Sequence, residues 1–258
     1  MPLKTVKHLN YQVLPMPAER YFIDEEISLN HKKFLKETEF HHLVHVMRTR
    51  PGEKIELVNG RGTLAQATLL DIHKEHATLS IDEVTEESLH PSRLILAQAF
   101  PKPDRLAFIL EKGTELGVDE FWLFPGHQSA KKEVFSSQQE RAKALTIAAM
   151  KQCGRLTLPS ISYMPAIEKW SPIQGQSFFG DLDQEAPLLV NALSSATPNY
   201  PITFFTGPES GWSAKETAML KEKGVQGVKL HHHVLRTDTA SIAALTLIQH
   251  WLMLNKAS

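Results

Sequence analysis

The chain has a single cysteine, Cys153, among its 258 residues. An intrachain disulfide is therefore impossible, and a zinc site would have to be built from histidines and carboxylates. No apolar run approaches the about 18 residues that a membrane-spanning helix needs, and the N-terminus lacks the pattern of a secretory signal. We expect a globular cytoplasmic protein with neither a membrane nor a metal among its partners.

Strong net charge and the familiar nucleotide motifs are also missing. The formal net charge is −1 with neutral histidines, so the chain as a whole does not attract polyanions. Lysine and arginine cluster locally at 131–155 and 32–54, which is compatible with phosphate contacts and equally typical of a solvated surface. No dinucleotide-binding fingerprint, Walker-type phosphate loop or nucleophile elbow occurs. The signatures of those enzyme classes are therefore absent.

The pattern of residues 1–88 is mostly that of short strands separated by turns such as Asn59-Gly60. The predicted strands lie at 21–23, 54–58, 62–72 and 77–81. One helix is predicted at 37–48, and residues 1–15 are expected to form a flexible extension. The polar stretch at 85–92 ends near a proline and predicts a linker. Together these features predict a small β-barrel or sandwich.

Strands and helices alternate from residue 92 to the end of the chain. An apolar strand at 94–100 precedes a helix that opens at Pro103 and ends at Gly117, and a second strand follows at 118–124. Such a βαβ unit predicts a parallel sheet. The alternation continues with predicted strands at 177–179, 202–205 and 226–230 and helices at 138–153, from 213, and at 238–254.

Two bends near the C-terminus form the best candidate for a ligand site. Gly207 and Gly211 bracket the first bend, where glycine permits positive φ and close approach of a ligand. Ser213 and Glu216 match a capping box that starts the next helix. Because ligands of open α/β sheets bind beyond the carboxyl ends of strands, this bend is in a suitable place. An ordinary strand-to-helix loop is the alternative.

A family resemblance rests on short motifs spread along most of the chain. The matching segments are Arg20-Tyr21-Phe22, 42–48, Pro51-Gly52, Pro101-Lys102, 111–118, 152–155, Gly207-Pro208-Glu209 and 235–240. In this combination and order they resemble the bacterial small-subunit ribosomal RNA methyltransferases that modify N3 of a uridine. Those enzymes are members of the SPOUT superfamily of knotted methyltransferases.

The resemblance implies an N-terminal PUA-like RNA-binding β-barrel, residues 1–88, and a C-terminal SPOUT α/β domain, residues 92–258, with a deep trefoil knot. It also implies S-adenosylmethionine as cofactor, 16S ribosomal RNA of the small subunit as substrate, and a homodimer. The implied cofactor contacts are Gly207, Pro208, Glu209, Gly211, Leu230, Leu235, Arg236, Thr237, Thr239 and Ala240. The implied RNA contacts are Arg20, Arg48, Lys102, Arg105 and Arg155.

The implied chemistry requires an acceptor for a proton and a cation. N3 of uracil carries a proton at neutral pH, so that proton must leave and the charge that develops on the base must be stabilised. Arg236 is the predicted cation. Glu209 and Asp238 are the candidate acceptors, although Asp238 could equally N-cap the last helix and Glu209 could be structural. Glu115 also matches a family position and could instead pair with Lys112.

Two departures from the family pattern suggest alternatives. Ser210 replaces a repeated glycine, and a serine with positive φ would cost on the order of 1 kcal/mol. His231, in a run of three histidines, replaces a glycine and could crowd the cofactor pocket. The alternative to an active enzyme is therefore a weak or inactive relative that binds ribosomal RNA as a module. A metal-dependent enzyme that uses the histidine run is a third hypothesis.

Overall fold

The computed structural model describes residues 19–87, 94–129, 135–173, 175–197 and 200–255. These residues fall into two units, the first formed by residues up to 87 together with 147–158 and the second by 94–146 and 159–255. The segment 147–158 belongs with the N-terminal unit, which its sequence did not indicate. The predicted extension at 1–15 and most of the predicted linker lie outside the described residues, so the domain ranges stay predictions.

The first unit is built on a five-stranded sheet. Its strands are β1 (Arg20–Phe22), β2 (Lys32–Lys36), β3 (Lys54–Val58), β4 (Thr63–Ile72) and β5 (His76–Glu86). Their order is β1-β3-β4-β5-β2, with β1 parallel to β3 and the other neighbours antiparallel. The register of β4 against β5 shifts at Gln66/Ala67 and at Leu69/Asp71. Such irregularities bend and twist a sheet.

The helix of this unit differs from the prediction. Helix α1 (Glu37–His41) continues directly into one turn of π-helix (His42–Val46), which buries Leu43 in the core. Glu37 and Arg48 at the two ends have positive φ angles of 51° and 56°. The helix predicted at 37–48 is therefore confirmed from 37 to 46, and its second half is π-helical. Hydrophobic periodicity cannot distinguish these two helix types over so few residues.

The second unit contains a six-stranded sheet in which neighbouring strands pair in parallel. Its strands are β6 (Leu94–Ala99), β7 (Glu120–Phe124), β8 (Ser160–Tyr163), β9 (Gln176–Gly180), β10 (Ile202–Thr206) and β11 (Gln226–Val228). Their order is β11-β9-β10-β6-β7-β8. The helices are α2 (Pro103–Glu115), α3 (Ser136–Cys153, of which residues 147–153 belong to the first unit), α4 (Leu189–Leu193), α5 (Ala214–Glu222) and α6 (Thr237–Asn255). The predicted parallel α/β sheet is thus confirmed.

Both faces of this sheet are covered, which explains why its central strands β6 and β10 are mostly apolar. All five residues of β10 are buried. On one face Leu96 and Phe204 pack with residues of α2 and α6, and on the other Phe205 packs with Leu220 of α5. Buried parallel strands typically show such continuous apolar runs. The carboxyl ends of β6, β9 and β10 lie side by side and provide the base of the candidate site.

Among the described residues, no helix combines the length and the hydropathy needed to cross a membrane.

Candidate functional site

The two bends singled out in the sequence are in direct contact. Thr237 Oγ1 donates a hydrogen bond of 2.6 Å to the carbonyl oxygen of Gly207. Strand β10 ends at Thr206 and helix α6 begins at Thr237, so this bond joins the carboxyl end of a central strand to the start of the last helix. Thirty positions separate the two residues in the chain. A single surface is therefore formed from both segments.

A buried glutamine on β6 strengthens this junction. The side-chain nitrogen of Gln98 donates to the carbonyl oxygen of Gly207 at 3.2 Å and to Thr237 Oγ1 at 3.1 Å. Its side-chain oxygen accepts a hydrogen bond of 2.8 Å from Ser241 Oγ, which also lies 3.1 Å from Thr206 Oγ1. We call Gln98, Thr206, Gly207, Thr237 and Ser241 the Gln98 clasp. It connects three elements of the second unit, β6, β10 and α6.

The first bend owes its shape to its two glycines. Gly211 has φ 75°, and its amide donates a hydrogen bond of 2.9 Å to the carbonyl oxygen of Pro208. A Cβ atom on Gly207 would come within 3.3 Å of the Gly211 carbonyl carbon and of the Trp212 ring. Gly211 takes the left-handed conformation and Ser210 does not, so the strain considered for a serine with positive φ does not arise.

Helix α5 begins with the predicted capping box, which is confirmed. Ser213 Oγ accepts a hydrogen bond from the Glu216 amide, and the buried Glu216 carboxylate accepts one from the Ser213 amide at 2.9 Å. His127, which sequence reasoning did not identify, donates its backbone amide to the same carboxylate at 2.8 Å. Its imidazole lies between Ser213 Oγ and Glu168. This imidazole, with a smaller contribution from Lys215, holds the pKa of Glu168 below its ordinary value.

We predict that Ser213→Ala lowers the free energy of unfolding by about 1 to 2 kcal/mol, since an amide of the first turn of α5 and the buried Glu216 carboxylate each lose a partner. Chemical denaturation measures the difference. Ser195→Ala, at an exposed turn residue, serves as the control and should change the free energy by no more than about 0.5 kcal/mol. Equal effects of the two substitutions would contradict the capping role.

The second bend offers backbone groups to a ligand. Within the described part of the chain the amides of Leu235 and Arg236 have no hydrogen-bond partner. Leu230 is half-buried against the core, and Thr239 and Ala240 lie in the first turns of α6. The His231 side chain is exposed, and its Nδ1 accepts a hydrogen bond of 3.0 Å from the His233 amide. This imidazole is therefore bonded to its own loop.

The candidate catalytic side chains differ in how many hydrogen bonds and ion pairs they already make. Arg236 is exposed, and its guanidinium makes no ion pair or hydrogen bond with the described residues. Glu209 is exposed as well, and one of its oxygens accepts a hydrogen bond of 2.8 Å from the Lys102 amide. Both oxygens of the buried Asp238 are occupied, by Arg105 at 2.5 Å and by the Thr239 amide at 2.9 Å. Asp238 lies inside the first turn of α6, so the N-cap alternative is wrong.

The remaining predicted RNA contacts lie in the first unit. Arg48 is exposed at the end of the π-helical turn. Arg155 is half-buried and donates to Thr157 Oγ1 at 2.9 Å. Arg20 is buried and paired with Glu56 at 2.7 Å, so a phosphate contact would require this pair to open. All three RNA contacts stay predictions.

Glu115 of α2 accepts a hydrogen bond of 2.8 Å from Lys112, as the helical ion-pair alternative predicted. The pKa of Lys112 is raised mainly by its hydrogen bond to Glu111 and then by the one to Glu115. Within the ranges that the structure covers, no group of three or more histidine, cysteine, aspartate or glutamate side chains is arranged to hold a metal ion.

Two family models match the chain. One, described as an RNA methyltransferase domain, matches residues 88–249, which is more than half of the sequence. The other, described as an RNA methyltransferase PUA domain, matches residues 35–82. The first range contains both bends and the whole Gln98 clasp. The second contains β3 and β4, most of β5 and the last two residues of β2.

The ribosomal RNA small subunit methyltransferase E of Bacillus subtilis is 26% identical over 247 residues, which cover 90% of this chain and 96% of that protein. The Neisseria gonorrhoeae structure of the same name, bound to S-adenosyl methionine, has a TM-score of 0.77 at 28% identity and covers 92% and 98% of the two chains. The Legionella pneumophila protein Lpg2936, solved with bound SAM, shares the fold with a TM-score of 0.81 at 22% identity, covering 90% and 97%. The predicted PUA-like sheet and SPOUT-type parallel sheet are thereby confirmed. The chain therefore belongs to the RNA methyltransferase family, within the group of small-subunit ribosomal RNA methyltransferases E that its motifs resemble.

Proposed function

We propose that this protein transfers a methyl group from S-adenosylmethionine to N3 of a uridine in the 16S ribosomal RNA of the small subunit. The observation that carries the proposal is the junction of the two bends through Thr237 and Gly207, in a chain of this family. The names of the Bacillus subtilis and Neisseria gonorrhoeae relatives give the substrate class, and the bound molecule of the latter gives the cofactor.

The two bends suit a nucleoside cofactor because they present backbone rather than bulky side chains. The position of a Cβ atom on Gly211 is open space, so a ligand can approach its main chain. The amides of Leu235 and Arg236 have no partner among the described residues and are available as donors. S-adenosylmethionine supplies an electrophilic methyl group when it is bound. The residues that would hold it are Gly207, Pro208, Glu209, Gly211, Leu230, Leu235, Arg236, Thr237, Thr239 and Ala240.

Glu209 is the better of the two candidate proton acceptors. One oxygen of its carboxylate contacts the Lys102 amide, and the other is left for the N3 proton of uracil. Asp238 is occupied at both oxygens and instead orients Arg105. As the N3 proton moves to Glu209, negative charge spreads onto the uracil oxygens. Arg236 stabilises that charge, since its guanidinium stays ionised and can donate two parallel hydrogen bonds.

The proposal includes a homodimer, a trefoil knot in the second unit and a cytoplasmic location. The family resemblance supports all three. Met253 and Leu254, exposed at the end of α6, supply apolar surface that a second subunit would cover. Light scattering on the purified protein gives the mass directly, and a monomer at micromolar concentration would rule the dimer out.

The activity can be tested on small ribosomal subunits purified from cells that lack this protein. Incubation with the protein and labelled S-adenosylmethionine should place one methyl group on each subunit, and mass mapping should identify it as 3-methyluridine. Calorimetry with the cofactor alone is run in parallel. RNA binding without cofactor heat or methyl transfer would show a binding module instead.

A further inference from the structure

The edge strand β2 carries an exposed aromatic residue between two lysines. Among the strands that the structure describes in the first unit, β2 pairs with β5 alone. Leu35 is buried, so the alternating residues Lys32, Phe34 and Lys36 point to the outer face. Phe34 is 47% exposed, which is unusual for so large an apolar side chain. Each lysine lies about 7 Å from Phe34 along the strand.

Two histidines extend this aromatic surface. The ring of His76, on the neighbouring strand β5, meets the Phe34 ring edge-on with centroids 5.2 Å apart. The His73 ring stacks on His76 at 4.5 Å with an interplanar angle of 27°. Thr78, directly opposite Phe34 in the register, is buried, whereas about half of the Phe34 side chain stays accessible. Three rings therefore lie in a row at the edge of the sheet.

The charges around these rings favour an anionic partner. Lys32 and Lys36 are exposed and make no ion pair with any residue that the structure describes. Lys33, on the opposite face of the strand, is paired with Glu25 at 2.9 Å. One carboxylate oxygen of the exposed Asp71 lies 3.6 Å from His73 Nε2. Asp82 accepts a hydrogen bond from Thr68, and Lys74 and Glu75 offset each other at the exposed turn between the strands.

We propose that Lys32, Phe34, Lys36, His73 and His76, which we call the β2 platform, bind single-stranded RNA. Unpaired bases stack on the Phe34 and His76 rings, and the two lysines contact the flanking phosphates. Exposed aromatic side chains beside lysines are the combination that single-stranded nucleic acids require, since every base has a face that can stack. The inference rests on the proposed function only in naming RNA as the partner.

Pairing with a second copy through β2 is the competing use of this surface. An edge strand presents unpaired backbone groups that can template another strand. Lysines on an edge strand discourage such pairing. If two copies paired through β2, Lys32 and Lys36 of one copy would lie close to the same lysines of the other. The arrangement therefore favours a flexible anionic chain over a neighbouring sheet.

Fluorescence anisotropy with a labelled ten-nucleotide oligouridine tests the β2 platform. Phe34→Ala should weaken binding by about 5- to 150-fold, the range that corresponds to the loss of one stacked base. Phe34→Tyr should bind like the parent protein, and Phe34→Leu should resemble Phe34→Ala because it keeps apolar area without a ring face. Lys32→Ala and Lys36→Ala should each reduce the dependence of binding on salt. Tyr200→Ala, at an exposed aromatic residue of the second unit, is the matched control.

The outcomes separate this inference from the proposed function. Calorimetry with S-adenosylmethionine should give the same affinity for the parent protein and each platform variant, and thermal unfolding confirms that they fold. Oligouridine binding that is unchanged in Phe34→Ala overturns the platform even if methyl transfer is observed. Loss of binding in Phe34→Ala supports the platform even if no methyl transfer is found. A lower mass for Phe34→Ala in light scattering would assign the surface to self-association and also overturn it.

Discussion

Arg236→Ala should reduce the rate of methyl transfer by about 100- to 1000-fold, the loss expected when a group that stabilises developing charge is removed. The fold should remain intact, because the Arg236 side chain is exposed and makes no ion pair or hydrogen bond with the described residues. The affinity for S-adenosylmethionine should change only a few-fold, since Arg236 contributes its backbone rather than its charge to the cofactor wall. The effect therefore falls on the chemical step.

Single-turnover transfer to small ribosomal subunits, with saturating cofactor, isolates this step. Arg236→Lys keeps the charge without the planar fork, so it should recover only part of the rate. Lys169→Ala removes an exposed cation elsewhere in the second unit and should have no effect. A normal rate in Arg236→Ala would refute the assignment of the cation.

Gln98→Leu should weaken both the fold and the cofactor site. Leucine has a similar size but cannot donate to the Gly207 carbonyl or accept from Ser241, so buried polar groups lose partners at a cost of about 1 to 3 kcal/mol. The two bends then lose one of the side chains that hold them together. We expect the affinity for S-adenosylmethionine to fall at least about tenfold by calorimetry, since ordering the bends again costs about 1.4 kcal/mol or more.

Thr203→Val provides the matched control for this substitution. Thr203 is as buried as Gln98 and lies on the adjacent strand β10, yet its hydroxyl has no hydrogen-bond partner among the described residues. Valine has the same shape without the polar atom, so the free energy of unfolding should stay unchanged or rise by up to about 1 kcal/mol. If Thr203→Val lowered the free energy of unfolding as much as Gln98→Leu, any substitution in these strands would be destabilising. The result would then contradict a specific role of the Gln98 clasp.

The strands and helices were largely predictable because their signals are local. The alternation at 54–58 matches β3 residue for residue, and Gly117, with φ 84°, ends α2 where the pattern indicated. The capping box of Ser213 and Glu216 could be predicted for the same reason, since its two members are three positions apart. Hydrophobic period, turn residues and caps act over a few residues, so a single sequence contains them.

The clasp could not be predicted, because its bonds join residues that are 30 to 143 positions apart. A polar residue inside the apolar run of β6 was the only trace of Gln98 in the sequence. The family resemblance placed both bends at one cofactor, which stays a prediction, and the structure shows that the two bends are in contact. The sequence does not show that Asp238 is paired with Arg105, or that one oxygen of Glu209 has no hydrogen-bond partner among the described residues. The sequence also did not show that Arg20 is buried and paired with Glu56.

Hydrogen exchange of the protein with and without S-adenosylmethionine tests the central claim most directly. The claim is that the bend at 207–211 and the corner at 235–240 form one cofactor site. We predict that the cofactor slows exchange in both segments together, with little change in the sheet of the first unit. Protection confined to one segment, or located away from both, would contradict the claim.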